Sequence, residues 1–572
     1  MKRRTFVASG LASAATLAAP RVARSQGQRV LKFIPHADLA SLDPMWTTAD
    51  ITRNFSSAVY DTLYGLDGSF RPSPQMVEGH VIEQDGKLWK LTLRDGLKFH
   101  DGTPVLAKDA VASIKRWGVR DPYGSALMAR TDEVSAPSDK VIEIRLKRPF
   151  VQVPDALGQY ACVIMPERMA STPANTQITE VMGSGPFKFV AGERVSGSRV
   201  VFARNADYVP RKDGTPSFYA GPKVTHFDRL EWTFVPDPGT SAAALTNGEY
   251  DWWEFPTIDL VSMLRKNRGL TVEVTNNMGS IGCIRFNSLQ PPFDNPAIRR
   301  VVLSAVNQQD FMEAVAGAEP SLIKLGAGIV AKASPMSSDA GVEVTKGRKD
   351  YDKIKQELAA AGYDGRKIVL LGPSTIPTLH AQSQVVDDLL RKIGFNVDYQ
   401  SLEWGTVVQR RASKEPIDKG GWNIFITNLG GTGNIFIPAS NPIRSGPNAW
   451  FGWPDAPKLE ALRESWLEAP DFDTAKRIAG EMQMQFWQDV PYVPTGEFAQ
   501  PTGYHNYLKD VQKGGPVPDL RRARARDDPD AGRRDRRRNR WRCMCAGIAA
   551  RRPCGHHHRT GRAGRGTGGE FR

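Results

Sequence analysis

The stretch from residue 93 to residue 116, LRDGLKFHDGTPVLAKDAVASIKR, constrains the fold more than any other part of the chain. Two Asp-Gly pairs, at 95–96 and 101–102, mark tight turns, because Gly tolerates left-handed backbone angles and Asp bonds to nearby amides. From Ala107 onward, apolar residues recur at helical spacing. These residues predict the end of a strand, a turn and the start of an amphipathic helix.

As an ordered string, this stretch resembles the signature of the extracytoplasmic solute-binding proteins of family 5, the oligopeptide, dipeptide and nickel receptors of ABC importers. Asp109-Ala110 departs slightly from the family's usual Asp-Val. Shorter strings resemble other family motifs, namely Leu42-Asp43-Pro44, Tyr60-Asp61-Thr62-Leu63, Gly183-Ser184-Gly185-Pro186-Phe187, Arg204-Asn205-Ala206-Asp207-Tyr208, Asn247-Gly248-Glu249-Tyr250-Asp251 and Pro291-Pro292-Phe293-Asp294-Asn295. The resemblance covers residues 30 to about 517.

The resemblance implies an α/β fold of two lobes with a hinge between them, the type II periplasmic-binding-protein fold in its large form with an extra subdomain. A chain of 572 residues is long enough for two or three domains. The expected division is an export signal at 1–25, lobe I from 26–57, 183–279 and 490–518, an extra subdomain at 58–182, lobe II at 280–489, and an Arg-rich tail at 519–572.

Periodicity within the second lobe predicts its local structure. A strand at 368–371, a helix at 381–393 and a strand at 395–399 form a βαβ unit, so part of the sheet is parallel. Asn295 and Pro296 are a typical N-cap and first residue of a helix. Further helices are expected at 350–361, 456–468 and 473–489.

The net charge of +14 is unevenly distributed along the chain. Residues 519–572 contain 17 Lys and Arg against 6 Asp and Glu, whereas residues 26–518 contain 54 basic and 56 acidic residues. The body is therefore close to neutral, which argues against nucleic acid as a partner.

The N-terminus predicts export to the periplasm. Lys2-Arg3-Arg4 precedes a moderately apolar segment, and Ala23-Arg24-Ser25 offers small residues for cleavage. Arg3-Arg4 also fits a twin-arginine signal, so the general secretory and twin-arginine routes both stay open. No later stretch is apolar enough to span a membrane.

The tail has three interpretations. Its composition, rich in Arg, Gly and Ala, is typical of a GC-rich gene translated out of frame. We therefore expect the tail to be disordered or a frameshift product. Translating the other two frames from about codon 515 tests this expectation. An Arg-rich RNA-binding tail is one alternative. A metal site at Cys543, Cys545, Cys554 and His556-His557-His558 is another, although Cys-x-Cys with a remote Cys does not match a zinc-binding spacing.

No catalytic or metal-binding motif is evident, so the sequence predicts neither an enzyme nor a cofactor nor a metal site. The body contains Cys162 and Cys283, which are expected to be separate buried thiols, with a disulfide as the alternative. The family resemblance implies the substrate-binding subunit of an ABC importer, a monomer that captures a peptide or other small solute and meets the permease transiently. A sensor or chaperone receptor on the same fold is the alternative.

In the family, an acidic residue of the second lobe commonly holds the α-ammonium of a peptide. Its counterpart here falls between Asn428 and Asn448, where the sequence contains no Asp or Glu before Asp455. Another acid, such as Glu403, could substitute. A short peptide therefore remains the leading ligand class, with opines, sugars and metal chelates as alternatives.

The resemblance also implies which segments line the cleft. They are the turn after the first strand, the 183–185 segment taken as a lobe crossing, the aromatic segment at 252–253, residue 404, which follows a predicted strand of lobe II, and the loop from 428 to 434. The candidate ligand-binding residues are Asp38, Trp46, Ser184, Gly185, Trp252, Trp253, Trp404, Asn428, Thr432 and Asn434.

Overall fold

The structure, a computed structural model, describes residues 28–513 apart from 48, 277, 318, 431–440 and 447–448, together with the backbone of Arg524–Ala525. The predicted export signal at 1–25 and, apart from that short strand, the tail at 519–572 lie outside the described residues. Within the described part of the chain, no helix is long and apolar enough to cross a membrane.

Lobe I, as we use the name, is built on a seven-stranded sheet. Its strands, in spatial order, are Leu270–Glu273, Thr502–His505, Trp252–Trp253, Val30–Ile34, Arg229–Thr233, Arg199–Arg204 and Phe187–Phe189. The first strand of the chain is central and runs parallel to both neighbours. Phe33, Phe202 and Trp232 pack together in the core, where the Trp232 ring centroid lies 5.5 Å from that of Phe33 and 4.8 Å from that of Phe202. The helices of this lobe are Asp50–Val59, Pro238–Thr246 and Ile258–Arg265, with a 3₁₀ turn at Ala191–Glu193.

The extra subdomain is an antiparallel four-stranded sheet covered by helices. The strands follow the spatial order Val77–Glu83, Leu88–Leu93, Val141–Leu146 and Thr131–Ser135. The remaining elements are the strand pair Tyr64–Leu66 and Pro72–Pro74 and the helices Ala107–Arg120, Pro122–Arg130, Val153–Leu157 and Glu167–Ala170.

The signature stretch forms the strand end, turn and helix that its sequence predicts. Leu88–Leu93 leads into turns at Gly96 and Gly102, whose φ angles of 80° and 90° favour glycine. The helix Ala107–Arg120 follows, and the Asp109 side chain accepts a hydrogen bond from Leu106 N at 2.8 Å. This bond satisfies one amide at the start of the helix.

Lobe II, as we use the name, is built on a six-stranded mixed sheet. In spatial order its strands are Ile323–Lys324, Tyr492–Phe498, Ser280–Phe286, Ile424–Gly430, Lys367–Pro373 and Asn396–Leu402. Its helices are Pro296–Ala305, Gln308–Ala316, Tyr351–Ala360, Pro377–Lys392, Trp404–Arg410, Pro457–Leu467 and Phe472–Asp489, with 3₁₀ turns at Pro320–Leu322, Val342–Thr345, Ile417–Lys419 and Asn441–Ile443.

The predicted βαβ unit of lobe II is confirmed. Lys367–Pro373 and Asn396–Leu402 pair in parallel and are joined by the helix Pro377–Lys392. The Asn295 side chain accepts a hydrogen bond from Ala297 N at 2.9 Å, and Pro296 begins the helix, as the sequence predicts. The three other predicted helices are each present to within one residue at either end.

Two segments join the lobes: 274–279, in which all residues except 277 are described, and 499–501. Leu270–Glu273 pairs with Thr502–His505 in lobe I, and Ser280–Phe286 pairs with Tyr492–Phe498 in lobe II. The two crossing segments therefore run side by side, as in a hinge. Strand Tyr492–Phe498 belongs to lobe II, so the predicted return to lobe I at residue 490 is too early, whereas Thr502–His505 does lie in the lobe I sheet. The pairing of Tyr492–Phe498 with Ser280–Phe286 decides which lobe this strand joins.

The segment at 183–185 is not a lobe crossing, and that prediction was wrong. Gly185 N donates to Val59 O at 2.8 Å, and the chain continues into Phe187–Phe189 at the edge of the lobe I sheet. A Cβ on Gly183 would lie 2.0 Å from Val59 O, so this close packing requires glycine. The segment carries the chain from the extra subdomain back into lobe I.

Candidate functional site

The carboxyl ends of parallel strands in lobe I form one candidate binding edge. Val30–Ile34 and Trp252–Trp253 run parallel and end side by side, and His36 and Glu254 follow them closely. The Asp50–Val59 helix is tied to the same edge, because Asn54 Nδ2 donates to Glu254 Oε1 at 2.6 Å. Open α/β sheets bind ligands outside the carboxyl ends of their strands.

His36 and Glu254 form a tight pair at this edge. His36 Nδ1 lies 2.7 Å from Glu254 Oε2, and the same oxygen accepts from His36 N at 2.9 Å. Burial by itself would lower the pKa of His36, but the charge of Glu254 and its hydrogen bond, together with the charge of Asp50, raise that pKa above 6.5. The charged form of this imidazole is therefore more favoured than in an isolated histidine.

Asp50 is an acidic group of this edge that reaches solvent. Its side chain is 51% exposed, and Arg53 NH1 donates to Oδ1 at 2.5 Å. The Arg53 guanidinium is buried and lies 4.2 Å from the centroid of the Tyr160 ring. The stacked Arg53 fixes one carboxylate oxygen of Asp50 and leaves Oδ2 available.

The lobe II sheet offers a second edge of the same kind. Lys367–Pro373 runs parallel to both Asn396–Leu402 and Ile424–Gly430, so the carboxyl ends of all three strands meet. Trp404 lies at this edge, half-buried, and the Arg411 guanidinium is 5.5 Å from the centroid of its ring. Burial lowers the pKa of Arg411 to about 10.

Asn428 and His380 add polar groups to the lobe II edge. Asn428 Oδ1 accepts from Gln382 Nε2 at 2.9 Å, and its Nδ2 donates to Thr378 Oγ1 at 3.2 Å. Gln382 in turn accepts from Thr495 Oγ1 at 2.7 Å, so this network fixes the amide of Asn428. Nδ1 of His380 is buried and has no hydrogen-bond partner among the described residues.

The two edges face each other across the cleft. A methyl group placed on Gly430 of lobe II would lie 3.8 Å from Asp50 Oδ2 of lobe I. The strand ends of the two lobes therefore approach each other closely at this point. Strand ends from two lobes that are joined by two crossing segments can contact a small solute from both sides.

Three of the predicted site residues lie at these edges. They are Asp38, two residues beyond His36 and half-buried, and Trp404 and Asn428 of lobe II. Trp46 contacts the extra subdomain, because its carbonyl accepts from Arg120 NH2 at 3.0 Å and the Arg120 guanidinium lies 5.8 Å from the centroid of its ring. Thr432 and Asn434 lie outside the described residues.

Two predicted tryptophans are core residues. Trp252 is fully buried, lies 5.3 Å from Tyr504 by ring centroids and donates to Thr502 Oγ1 at 2.5 Å. Trp253 is 5% exposed and packs among aliphatic residues, including Leu245 and Leu264. The two residues are neighbours in one strand, so their side chains point to opposite faces of the lobe I sheet, and both are buried there. This burial contradicts their expected place at the cleft.

Ser184 and Gly185 are also scaffold residues. Ser184 is 4% exposed, and the Gly185 carbonyl accepts from His100 Nε2 at 3.0 Å and from Asn205 Nδ2 at 3.1 Å. Burial lowers the pKa of His100 to about 4, so the ring is neutral and can donate from Nε2. His100 of the signature stretch therefore holds the 183–185 segment in place.

Sequence reasoning missed His36, Asp50, Glu254 and His380. His36 follows a predicted strand and Glu254 follows the aromatic segment at 252–253. Because ligands bind outside the carboxyl ends of strands in open α/β sheets, these positions could have been found from the sequence. Asp50 carried no such signal, because its position depends on the packing of its helix.

Comparison with known proteins identifies the family of the chain. Residues 71–449 match the family described as bacterial extracellular solute-binding proteins, family 5 Middle. The chain belongs to this family. It is a two-lobed α/β solute-binding protein, the substrate-binding component of an ABC importer, and its family places it outside the cytoplasm.

Relatives of this solute-binding protein carry related names. The chain is 36% identical over 516 residues to the "Probable peptide ABC transporter periplasmic-binding protein y4tO" of Sinorhizobium fredii, covering 89% of this chain and 96% of that one. The PBP AgaA in complex with agropinic acid, from A. tumefaciens R10, has a TM-score of 0.74 at 19% identity, with coverage of 87% and 99%. The dipeptide-binding protein of Pseudoalteromonas sp. SM9913 in complex with Met-Leu has a TM-score of 0.72 at 20% identity, with coverage of 87% and 100%. These two structures support the fold.

Proposed function

We propose that this solute-binding protein captures a short peptide, or a solute of similar size and polarity, between its two lobes. The observation that carries this proposal is the opposition of the two strand edges, with Asp50 facing Gly430 beside a two-segment hinge. A solute that contacts both edges stabilises the closed arrangement, which a permease can recognise. The protein releases the solute unchanged, without catalysis.

A peptide is favoured over other solutes by the name of the Sinorhizobium relative and by the Met-Leu complex. Aromatic and amide groups at the lobe II edge suit a ligand with both apolar and hydrogen-bonding parts. The agropinic acid complex of a protein with the same fold keeps opines as the second candidate class.

Asp50 is our candidate for the carboxylate that meets a peptide's ammonium group. Glu403 is a weaker candidate, because its side chain already accepts from Thr406 N at 3.2 Å as a helix N-cap. Asp50 Oδ2 faces the start of the lobe II loop, in which the sequence lacks acids from Asn428 to Pro454. Lobe I would then supply the negative charge.

The protein acts as a monomer in the periplasm, meets importer permease subunits transiently, and uses no nucleic acid. Its near-neutral body and N-terminal sequence support this part of the proposal. Export follows either the general secretory or the twin-arginine route. A sensor or chaperone role is less favoured, and a permease gene beside this one would discriminate the two.

Thermal unfolding of the full chain tests the proposal. We expect Tm to rise with at least one member of a panel of dipeptides including Met-Leu, agropinic acid, sugars and metal chelates. No shift with any member would overturn solute capture. A shift with agropinic acid alone would replace peptides by opines.

Asp50→Asn tests the ammonium contact. With the dipeptide that raises Tm most, acetylation of its amino group should weaken binding to the wild type by about ten- to a hundredfold, the range of a hydrogen bond to a charged group. The Asp50→Asn protein should bind both forms equally weakly. Asp38→Asn is the matched control, and loss of discrimination in that variant instead would contradict the role of Asp50.

A further inference from the structure

The extra subdomain touches lobe II directly. Arg130 NH2 donates to Glu464 Oε2 at 2.7 Å and lies 3.5 Å from Glu468 Oε1. Arg148 contacts both glutamates, pairing closely with Glu468 and lying 4.0 Å from Glu464. The residues joined here are separated by more than 300 positions in the chain.

A neutral hydrogen bond runs beside these ion pairs. Gln152 Nε2 donates to the Trp466 carbonyl at 3.2 Å, and Tyr123 OH donates to Gln152 Oε1 at 2.5 Å. Tyr123 thereby orients the amide of Gln152 toward lobe II. The contact between the extra subdomain and lobe II therefore combines ion pairs with a neutral hydrogen bond.

We propose that these contacts form an electrostatic latch that holds the extra subdomain against lobe II when the lobes are closed. The latch consists of Arg130, Arg148 and Gln152 on the subdomain and Glu464, Trp466 and Glu468 on lobe II. The inference rests on the proposed function only for its role in solute capture, because closure itself can be measured without a solute.

The latch is suited to opening, because Arg130 and Glu464 keep other partners when it breaks. Arg130 NH1 donates to Ala126 O at 3.0 Å, and its guanidinium lies 5.5 Å from the centroid of the Phe150 ring. On lobe II, Arg463 NH2 donates to Glu464 Oε1 at 3.2 Å. Opening therefore leaves neither Arg130 nor Glu464 without a partner, which keeps its cost moderate.

Solvent access makes the latch sensitive to salt. The side chains of Glu464 and Glu468 are 42% and 41% exposed, whereas that of Arg130 is 1% exposed. Ions reach the glutamates and screen the attraction, so high ionic strength should favour the open form. Because a solute binds the closed form, a weaker latch lowers apparent affinity in proportion to the closed fraction.

Small-angle X-ray scattering of the full chain without solute tests the latch. We expect Glu464→Gln with Glu468→Gln to lower the closed-to-open ratio by about tenfold, within the usual range of coupling between sites, and to enlarge the radius of gyration. The wild type should expand when the NaCl concentration is raised from about 50 to about 500 mM, because the Debye length shortens severalfold, and the double variant should respond much less. Glu481→Gln is the matched control, because Glu481 pairs with Arg477 on its own helix.

Gln152→Leu provides an independent test that changes no charge. It should enlarge the radius of gyration at both salt concentrations while the salt response persists. If the folded double variant and the folded Gln152→Leu protein both scatter like the wild type, the latch is overturned. Failure of every solute in the panel would overturn the proposed function and leave this result intact.

Discussion

Arg116 NH2 donates to Asp43 Oδ2 at 2.7 Å, which joins the last residue of the signature stretch to the Leu-Asp-Pro turn after the first strand. Both side chains are fully buried, and Asp43 Oδ2 also accepts from Ile178 N at 3.0 Å. Arg116 donates further to the carbonyls of Thr172, Pro173 and Thr176. The pair ties the extra subdomain to lobe I.

Asp43→Ala should lower the free energy of unfolding by about 3–5 kcal/mol, because it leaves the buried Arg116 charge without its carboxylate. Chemical denaturation measures the change. Glu180→Ala, which removes the exposed Arg168–Glu180 pair, should cost less than about 1 kcal/mol. Equal effects of the two substitutions would contradict the importance of burial here.

His36→Gln should destabilise the protein more at low pH than at high pH. Glu254 raises the pKa of His36 above 6.5, so the stabilisation is fully present below about pH 6.5 and is lost as pH rises through the raised pKa. Denaturation of both proteins between about pH 6 and about pH 9 should show their difference in unfolding free energy shrinking. A difference that grows with pH would refute this assignment.

His100→Gln is the control for that series, because its linkage has the opposite sign. Burial lowers the pKa of His100 to about 4, so its contribution is present above about pH 6.5 and is lost as pH falls toward 4. The difference between wild type and this variant should stay constant above about pH 7.5, where His100 is neutral in both the folded and the unfolded state.

Trp404→Ala should weaken solute binding by about 1–3 kcal/mol if its ring packs on the solute, as aromatic anchors do at other binding sites. Calorimetric titration with the best dipeptide of the thermal panel measures this loss. Trp46→Ala should leave affinity unchanged, since Trp46 is held against Arg120. Unchanged affinity in folded Trp404→Ala protein would assign Trp404 to the core instead.

Cys162 and Cys283 should resist thiol reagents in the native protein. Both thiols are buried and unpaired, and burial raises the pKa of Cys162 well above its usual value and that of Cys283 to about 12. In a variant with Cys543, Cys545 and Cys554 replaced by Ser, a colorimetric thiol assay should detect two thiols only after unfolding. Rapid reaction of the native variant would contradict this expectation.

The sequence predicted the local structure of lobe II well, because that information is contiguous in the chain. Asn295 and Pro296 specify a helix start by their own chemistry, and the 368–399 segment shows helix and strand periods within one crossover length. The sequence placed the return of the chain to lobe I at residue 490, which is too early, because strand Tyr492–Phe498 pairs in lobe II. Its pairing depends on Ser280–Phe286, a strand that lies far away in the chain.

The sequence by itself determined the family, the α/β class and the turn-and-helix scaffold around residues 93–116, since these depend on ordered neighbouring residues. Only the tertiary structure decided which side chains reach the cleft. It buried Trp252 beneath Tyr504 and brought Asp50 opposite Gly430. Burial and opposition across a cleft depend on how distant segments pack, and no local pattern in the chain encodes them.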